Sequence, residues 1–247
     1  MRPRPQALAQ SNMFMSEDTK SSALVKELFT VGAHFGYSRT RRDPSTAKFL
    51  FGTKNKVDII DIEHTEKQLE KAAEVMKKLG EKGKIVLFVG SKPEAKESVR
   101  TAAESLGLPF ATTRWVGGML TNFPEIKKRL TRLEELRAAK ISGDLAKKYT
   151  KKEQLLIARE VAKMESLFSG IVSLKGIPDA LFVVDPKKEL NAVLEAKRLG
   201  ITTIALGSTD CDITLVDHAI LANDSSRASI EFIVKHLADA YKSAAKE

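Results

Sequence analysis

Apolar positions along the chain keep two alternating rhythms. Leu24, Val25, Leu28 and Phe29 stand at helical spacing within 23–31, and the polar stretch 38–48, rich in Arg, Ser, Thr and Pro, cannot bury itself and reads as a loop. Short apolar runs at 49–51 and 57–60 flank residues 52–56, which predicts paired strands around a basic turn. Leu69, Ala72, Ala73, Met76 and Leu79 recur at three- and four-residue steps on a helix that Thr65 opens and Gly80 and Gly83 end. The unbroken apolar run 85–89 is the mark of a strand covered on both faces. A helix is expected to begin at Ser91, whose hydroxyl would cap it while Glu94 closes a capping box and Pro93 takes the first turn. Runs 180–184 and 202–206 repeat the buried-strand pattern around the helix-like stretch 188–199. Strand, helix, strand in that order predicts an α/β fold, a parallel sheet with helices on both faces.

Residues 123–170 break the alternation. Ile126, Leu130 and Leu133, and then Ile157, Val161, Met164 and Phe168, lie three and four apart, the spacing of two helices that meet along a narrow apolar seam. An antiparallel hairpin standing out from the sheet domain is expected, with cations such as Lys127, Arg129, Arg132, Lys151, Lys152 and Lys163 on its other faces. The chain then divides into an extension at 1–22, an α/β domain made of 23–122 and 171–247, and the hairpin 123–170 inserted in it.

Composition narrows the function. Of 247 residues 43% are hydrophobic, enough for a core and too many for a disordered chain. The 41 Lys and Arg outnumber the 32 Asp and Glu by nine, and the excess is uneven: residues 1–56 carry a net +6, 57–123 zero, 124–170 +5 and 171–247 −2. A basic protein recruits polyanions where its cations concentrate, so the first and third segments matter. Cys211 is the only cysteine, which excludes an intrachain disulfide and any zinc site with two thiolates, and suits a reducing, cytoplasmic setting. No stretch approaches the roughly 20 apolar residues of a membrane helix, and residues 1–20 hold no apolar run of an export signal, so no membrane is expected among the partners.

Enzyme chemistry is hard to find. Gly90-Ser91-Lys92-Pro93-Glu94 follows a strand but lacks both the spaced glycines of a dinucleotide fingerprint and the Gly-Lys-Ser/Thr ending of a phosphate loop. Cys211 and His218 lie seven residues apart with no orienting residue or oxyanion turn in view, and the four histidines have no ligand spacing, so neither a catalytic pair nor a metal or other cofactor is expected. Asp185, Asp210, Asp212 and Asp217 follow strands at the edge where open parallel sheets bind ligands, and carboxylates there suit magnesium. Capping helices and ending strands is the plainer role, as for Asp185 before Pro186 and Asp224 before Ser225. The alternative function is thus a cytosolic small-molecule binder or enzyme using Asp185 and Asp210.

Two stretches exceed what folding requires. Arg39, Arg41, Arg42 and Lys48 share a loop and Lys54 and Lys56 the next turn, the concentration of cations that phosphate contacts need. Arg114-Trp115-Val116-Gly117-Gly118-Met119-Leu120-Thr121-Asn122 holds the only Trp beside an Arg and two glycines, where backbone can come close to another molecule and Trp115 either stacks on a base or packs in the core.

With Gly32-Ala33-His34-Phe35-Gly36, Phe51 to Val57 leading into Ile59-Ile60-Asp61, Arg114 to Asn122, Thr150-Lys151-Lys152-Glu153, and Gly176 to Asp185, the chain resembles the bacterial small-subunit ribosomal protein S-two family over roughly residues 24–240. The resemblance implies a flavodoxin-like or Rossmann-like α/β domain with a protruding coiled-coil hairpin, and a non-catalytic ribosomal constituent that binds small-subunit ribosomal RNA. Implied partners are neighbouring small-subunit proteins, including the messenger-binding ribosomal protein S-one, and no small-molecule substrate. Combined with the charge pattern, it makes Arg39, Arg41, Arg42, Lys54, Lys56, Arg114, Trp115, Lys127, Arg129, Lys151 and Lys152 the candidate RNA contacts. The chain departs from the family pattern at Tyr37, usually His, and at Ala222-Asn223-Asp224-Ser225, commonly Gly-Asn-Asp-Asp. It departs again at 208–213, which reads Ser-Thr-Asp-Cys-Asp-Ile. Because Met13 and Met15 precede a more typical family beginning, one of them is expected to be the translated start.

Overall fold

The computed structural model describes residues 23–142 and 149–245; the expected extension at 1–22 and most of the connection expected at 141–150 lie outside the described residues. Five parallel strands, β4 (Val86–Val89), β5 (Phe110–Ala111), β6 (Ala180–Val184), β7 (Thr202–Gly207) and β8 (His218–Leu221), lie in the order β5-β4-β6-β7-β8. Taken by chain order within the sheet this is 2-1-3-4-5, the flavodoxin-like arrangement, whose order reverses between β4 and β6. Pleating sends alternate side chains to opposite faces. Val86, Phe88, Phe182, Val184 and Ile204 pack with α1 (Ala23–Thr30), α2 (Ile62–Glu81), α3 (Lys96–Leu106) and α7 (Arg227–Lys242). On the other face Leu87, Val89, Leu181, Val183 and Ala205 pack with α6 (Leu190–Leu199), α4 (Phe123–Ile141) and the loop of Trp115. Both faces are covered, which is why these strands read as unbroken apolar runs.

Two helix starts and three strands differ from expectation. The helix assigned to Thr65 starts at Ile62, because the Asp61 carboxylate accepts the Glu63 N–H at 3.0 Å and caps it, leaving the Thr65 hydroxyl to donate to the Leu221 carbonyl at 2.6 Å. The helix assigned to Ser91 starts at Lys96, because the Ser91 hydroxyl donates to Glu189, ninety-eight residues away, and no side chain caps α3. Phe35–Ser38, β5 and β8 are strands beyond those the sequence predicts; β5 has two residues and the other two four each, too short to set a period.

α4 and α5 (Lys151–Phe168) run in opposite directions, since Ile126 and Leu130 share a cluster with Phe168, while Leu133 and Leu136 meet Val161, Ile157 and Met164 farther along. The inner end is therefore part of the sheet's core and the outer cluster contains no sheet residue. Arg137 reaches Glu165 across the pair at 2.8 Å, and α5 opens on a capping box of Thr150 and Glu153.

A second sheet, antiparallel, orders β1 (Phe35–Ser38), β3 (Val57–Ile60) and β2 (Leu50–Lys54) as β1-β3-β2. β2 and β3 are the strands expected around a basic turn; Asn55 and Lys56, with φ of 51° and 66°, make the two-residue turn whose twist suits a hairpin. The preceding loop coils into 3-10 turns at Arg39–Arg41 and Pro44–Phe49. This sheet is seated on the loops after β7 and β8: Asp43 N–H donates to the Thr209 carbonyl at 2.8 Å and Tyr37 N–H to the Thr209 hydroxyl at 2.9 Å, and after β8 Asn223 N–H donates to the Ala33 carbonyl at 2.9 Å. A Cβ on Gly36 would lie 2.5 Å from the Thr209 methyl, so only glycine lets β1 approach this closely.

Candidate nucleic-acid interface

The crevice at the carboxyl ends of β4 and β6 is where a sheet of this order holds a ligand, and here its polar seats are taken by the chain itself. Ser91 offers its N–H and hydroxyl to the buried carboxylate of Glu189, the N–H at 3.3 Å. Lys92 stands between Asp224, at 3.1 Å, and Asp185, at 3.4 Å, and donates to the Tyr37 hydroxyl at 3.0 Å. Burial pulls the Lys92 pKa down, but Asp224, the Tyr37 hydroxyl and Asp185 more than reverse it, and the ammonium stays charged. Burial likewise pushes Asp224 up to about 6 against the pull of Lys92. The Tyr37 hydroxyl also lies 2.8 Å from the Ser225 hydroxyl, so two positions that depart from the family pattern are partners.

Asp185, Cys211 and Asp224 bring one ligand atom each to within 4.8 Å of one another, the one such metal-competent group among the described residues. Lys92 already supplies a cation to both carboxylates. Burial pushes the Cys211 thiol up to about 12, which makes it a poor nucleophile and a small core residue. Asp210, paired in the alternative function with Asp185, instead accepts from Lys187 at 3.1 Å.

The amino-terminal cations divide. Arg42 is committed inward: its guanidinium forks onto Asp58, fully buried, with Nε to Oδ2 at 2.7 Å, and reaches the Thr53 hydroxyl at 2.9 Å. That contact holds the Asp58 carboxyl below its ordinary range. Arg39, Arg41, Lys48, Lys54 and Lys56 are exposed and in no ion pair among the described residues. Arg39 N–H donates to the Lys56 carbonyl at 3.0 Å, which sets the 3-10 turn beside the hairpin tip, while the Arg41 guanidinium lies over the Tyr37 ring, 5.9 Å from its centroid. Arg42 thus fastens the loop that presents its neighbours.

Trp115 is 8% exposed and its indole N–H donates to Glu195 of α6 at 3.0 Å. Its ring is core, not an open face for a base. The same carboxylate takes the N–H groups of Gly118, Leu120 and Thr121 at 2.8, 3.0 and 3.1 Å, with Gly118 at a φ of 84° that turns its amide inward. Burial alone would raise the Glu195 pKa; the bonds from Trp115 and the three amides outweigh it and hold the carboxyl below its usual value. The Trp-Gly-Gly-Met-Leu-Thr run is therefore a cradle for one buried anion, which the sequence reading missed because Glu195 lies eighty residues away in an ordinary helical stretch. What the loop does expose is Arg114, which lines a cavity of about 410 Å³ together with Lys96 and Lys188. Those two lysines escaped notice for the same reason.

On the helical pair Lys127, Arg129, Lys151 and Lys152 are exposed and form no ion pair among the described residues, whereas Lys128 is bonded to Glu125 at 3.2 Å. Arg129 and Lys163 line a groove of about 430 Å³ between α4 and α5.

A doubly wound parallel sheet whose carboxyl-end carboxylates are engaged by the chain's own Lys92, Lys187 and Ser91, and whose loops and helical pair present exposed cations, defines an α/β protein of the flavodoxin-like class. The comparisons specify it further. The family described as Ribosomal protein S2 matches residues 28–244. The small ribosomal subunit protein uS2 of Rhodopirellula baltica is 43% identical over 220 residues, covering 89% of this chain and 84% of that protein. Its namesake in Thermus thermophilus is 43% identical over 215 residues, 87% of this chain and 84% of that protein, and that of Coprothermobacter proteolyticus 40% over 216, 87% and 80%. The chain belongs to the ribosomal protein S2 family.

Proposed function

We propose that this chain is a structural constituent of the small ribosomal subunit in the cytoplasm and binds small-subunit ribosomal RNA through its exposed, unpaired cations. The observation that carries the RNA contact is the set of exposed cations Arg39, Arg41, Lys54 and Lys56, none in an ion pair among the described residues, on the loop and hairpin that Arg42 fastens to the buried Asp58. Arg114 beside Lys96 and Lys188, and Lys127, Arg129, Lys151 and Lys152 on the helical hairpin inserted at 123–170, extend the same surface chemistry. Arg42 and Trp115 position these groups without touching RNA. Docking of neighbouring subunit proteins, ribosomal protein S-one among them, is read onto residues 171–247, whose net charge of −2 suits proteins better than phosphates. The reading as a small-molecule enzyme loses its seats to Lys92, Lys187 and Glu189.

Sedimentation of a lysate through sucrose at low and high salt tests this. The chain should travel with the small subunit at low salt and leave it at high salt. The double variant Arg39→Gln, Arg41→Gln should bind more weakly, with the slope of log K against log salt shallower by roughly 0.7 to 0.9 per lost contact. A chain at the top of the gradient at every salt concentration would sink the reading.

A further inference from the structure

The outer face of the small sheet is apolar and open. Register places Phe35 opposite Ile59, and Ile59 opposite Gly52, on one rung; the next outward rung is Ser38, Val57 and Lys54. Between them the inward rung holds the buried Asp58 opposite Thr53. Leu50 pairs with Ile60 and Gly52 with Ile59, so Phe51 is the extra residue of a bulge. Phe51 is 73% exposed and Phe35 49%. A Cβ on Gly52 would touch nothing within 4 Å, so the middle of the face is empty space between two rings roughly two strand spacings, or about 10 Å, apart. Phe35 is backed by a pile of rings, with His34 4.0 Å from it and Phe29 stacked on His34 at 4.4 Å, nearly parallel. Burying so much exposed aromatic surface is what a partner would gain. The face is bordered by the exposed Lys54 and Lys56 and by Arg39, bonded through its backbone to Lys56, none of them in an ion pair among the described residues. That charge selects a polyanion, and a polyanion that also wants flat apolar rings is a nucleic acid with unpaired bases.

We propose that the outer face of the β1-β3-β2 sheet stacks unpaired bases of the small-subunit RNA on Phe51 and Phe35, while Lys54 and Lys56 take the adjoining phosphates. The inference rests on the RNA-binding reading above and adds which chemical part of the RNA meets which residues. Stacking tolerates any base, so this face recognises single-strandedness and not a sequence.

The test uses small subunits stripped of this chain by salt and rebuilt with the full chain or its variants, read by affinity, salt slope and 2′-hydroxyl acylation of the RNA. Phe35→Leu and Phe51→Leu keep an apolar side chain and remove the ring at exposed positions, so folding is not at stake. Each should weaken rebinding by about fivefold to tenfold with an unchanged salt slope, and restore acylation at a few unpaired nucleotides that the wild-type chain rigidifies. Lys54→Gln with Lys56→Gln should instead make the salt slope shallower. Leucine variants that rebind like wild type with the same acylation pattern overturn the inference and leave the RNA reading standing. Weakened rebinding with no change at any nucleotide overturns it too, and assigns the face to a neighbouring protein. A wild-type chain that does not return to the subunit removes both.

Discussion

At the scale of single residues, the molecule turns on carboxylates that serve the chain rather than a ligand. Glu195 gathers the Trp115 indole and three loop amides, and a glutamine amide in its place can accept some of these bonds with its oxygen but turns its own N–H groups on the remaining donors. Glu195→Gln should therefore destabilise the protein by about 3 kcal/mol, since bonds to a buried charge are worth more than neutral ones and an unsatisfied donor costs its full desolvation. For a chain of this size that lowers the midpoint of thermal unfolding by roughly 10 °C. The pH signature separates this from a packing defect. The Glu195 pKa is depressed in the folded state, so its stabilisation is present above the unfolded value near 4.5 and is lost as pH falls through the folded one. Wild type should lose stability on acidification below about pH 5 more steeply than the Gln variant. Parallel acid limbs in the two unfolding series would show that Glu195 does not carry the effect. Asp58 is held instead by a cation, Arg42, and because Asp58 is fully buried, Arg42→Gln should cost about 3 kcal/mol by stranding its charge, readable in a urea titration.

At the scale of elements, glycine and caps decide how the pieces meet. Gly36→Ala would press a methyl against Thr209 and the Asp58 carbonyl, at 2.5 and 3.1 Å. The small sheet must then lift from the loop after β7, at a cost of about 1 to 3 kcal/mol. Limited proteolysis should cut within 35–60 in this variant well before wild type; equal cutting rates would mean that Thr209 simply turns aside. Much of this level was legible in the chain: 85–89, 180–184 and 202–206 became β4, β6 and β7 because strands covered on both faces must be apolar throughout. The seam of α4 and α5 was legible for the matching reason, one stripe per helix. Failures came where a distant residue outbids a local signal. Ser91 has every mark of a cap and gives its hydroxyl to Glu189 instead. Arg42 reads like Arg39 and Arg41, but only the fold reveals Asp58 beneath it. Trp115 could not be placed without Glu195, and Arg114 gained Lys96 and Lys188 only when α3 and α6 brought them around.

At the scale of the whole molecule, folding sorts the charges. Where carboxylates are spent on structure, as with Asp58, Asp224 and Glu195, cations are either consumed beside them or left unpaired outside. Two sets of exposed cations lie on different elements, Arg39, Arg41, Lys54 and Lys56 on the amino-terminal loop and hairpin and Lys127, Arg129, Lys151 and Lys152 on the helical pair. The groups share no hydrogen bond or ion pair among the described residues, so neither positions the other. Two contacts that meet RNA independently should add in free energy. Neutralising Arg39 and Arg41 and neutralising Lys151 and Lys152 should each lower affinity for the small subunit, and the combined variant should lower it by the product of the two factors. The salt slope should fall in step, by about 0.7 to 0.9 for each contact removed. Neutralising Lys175 and Lys235, exposed cations of the acidic carboxyl-terminal part, should change neither affinity nor slope. If all three variants lost affinity equally, net charge alone would attract the chain to the subunit, and the sorting of cations by the fold would have no part in binding. If the combined variant fell short of the product, the groups would be competing for one stretch of RNA, and the hairpin would have to approach the small sheet's edge in the assembled particle.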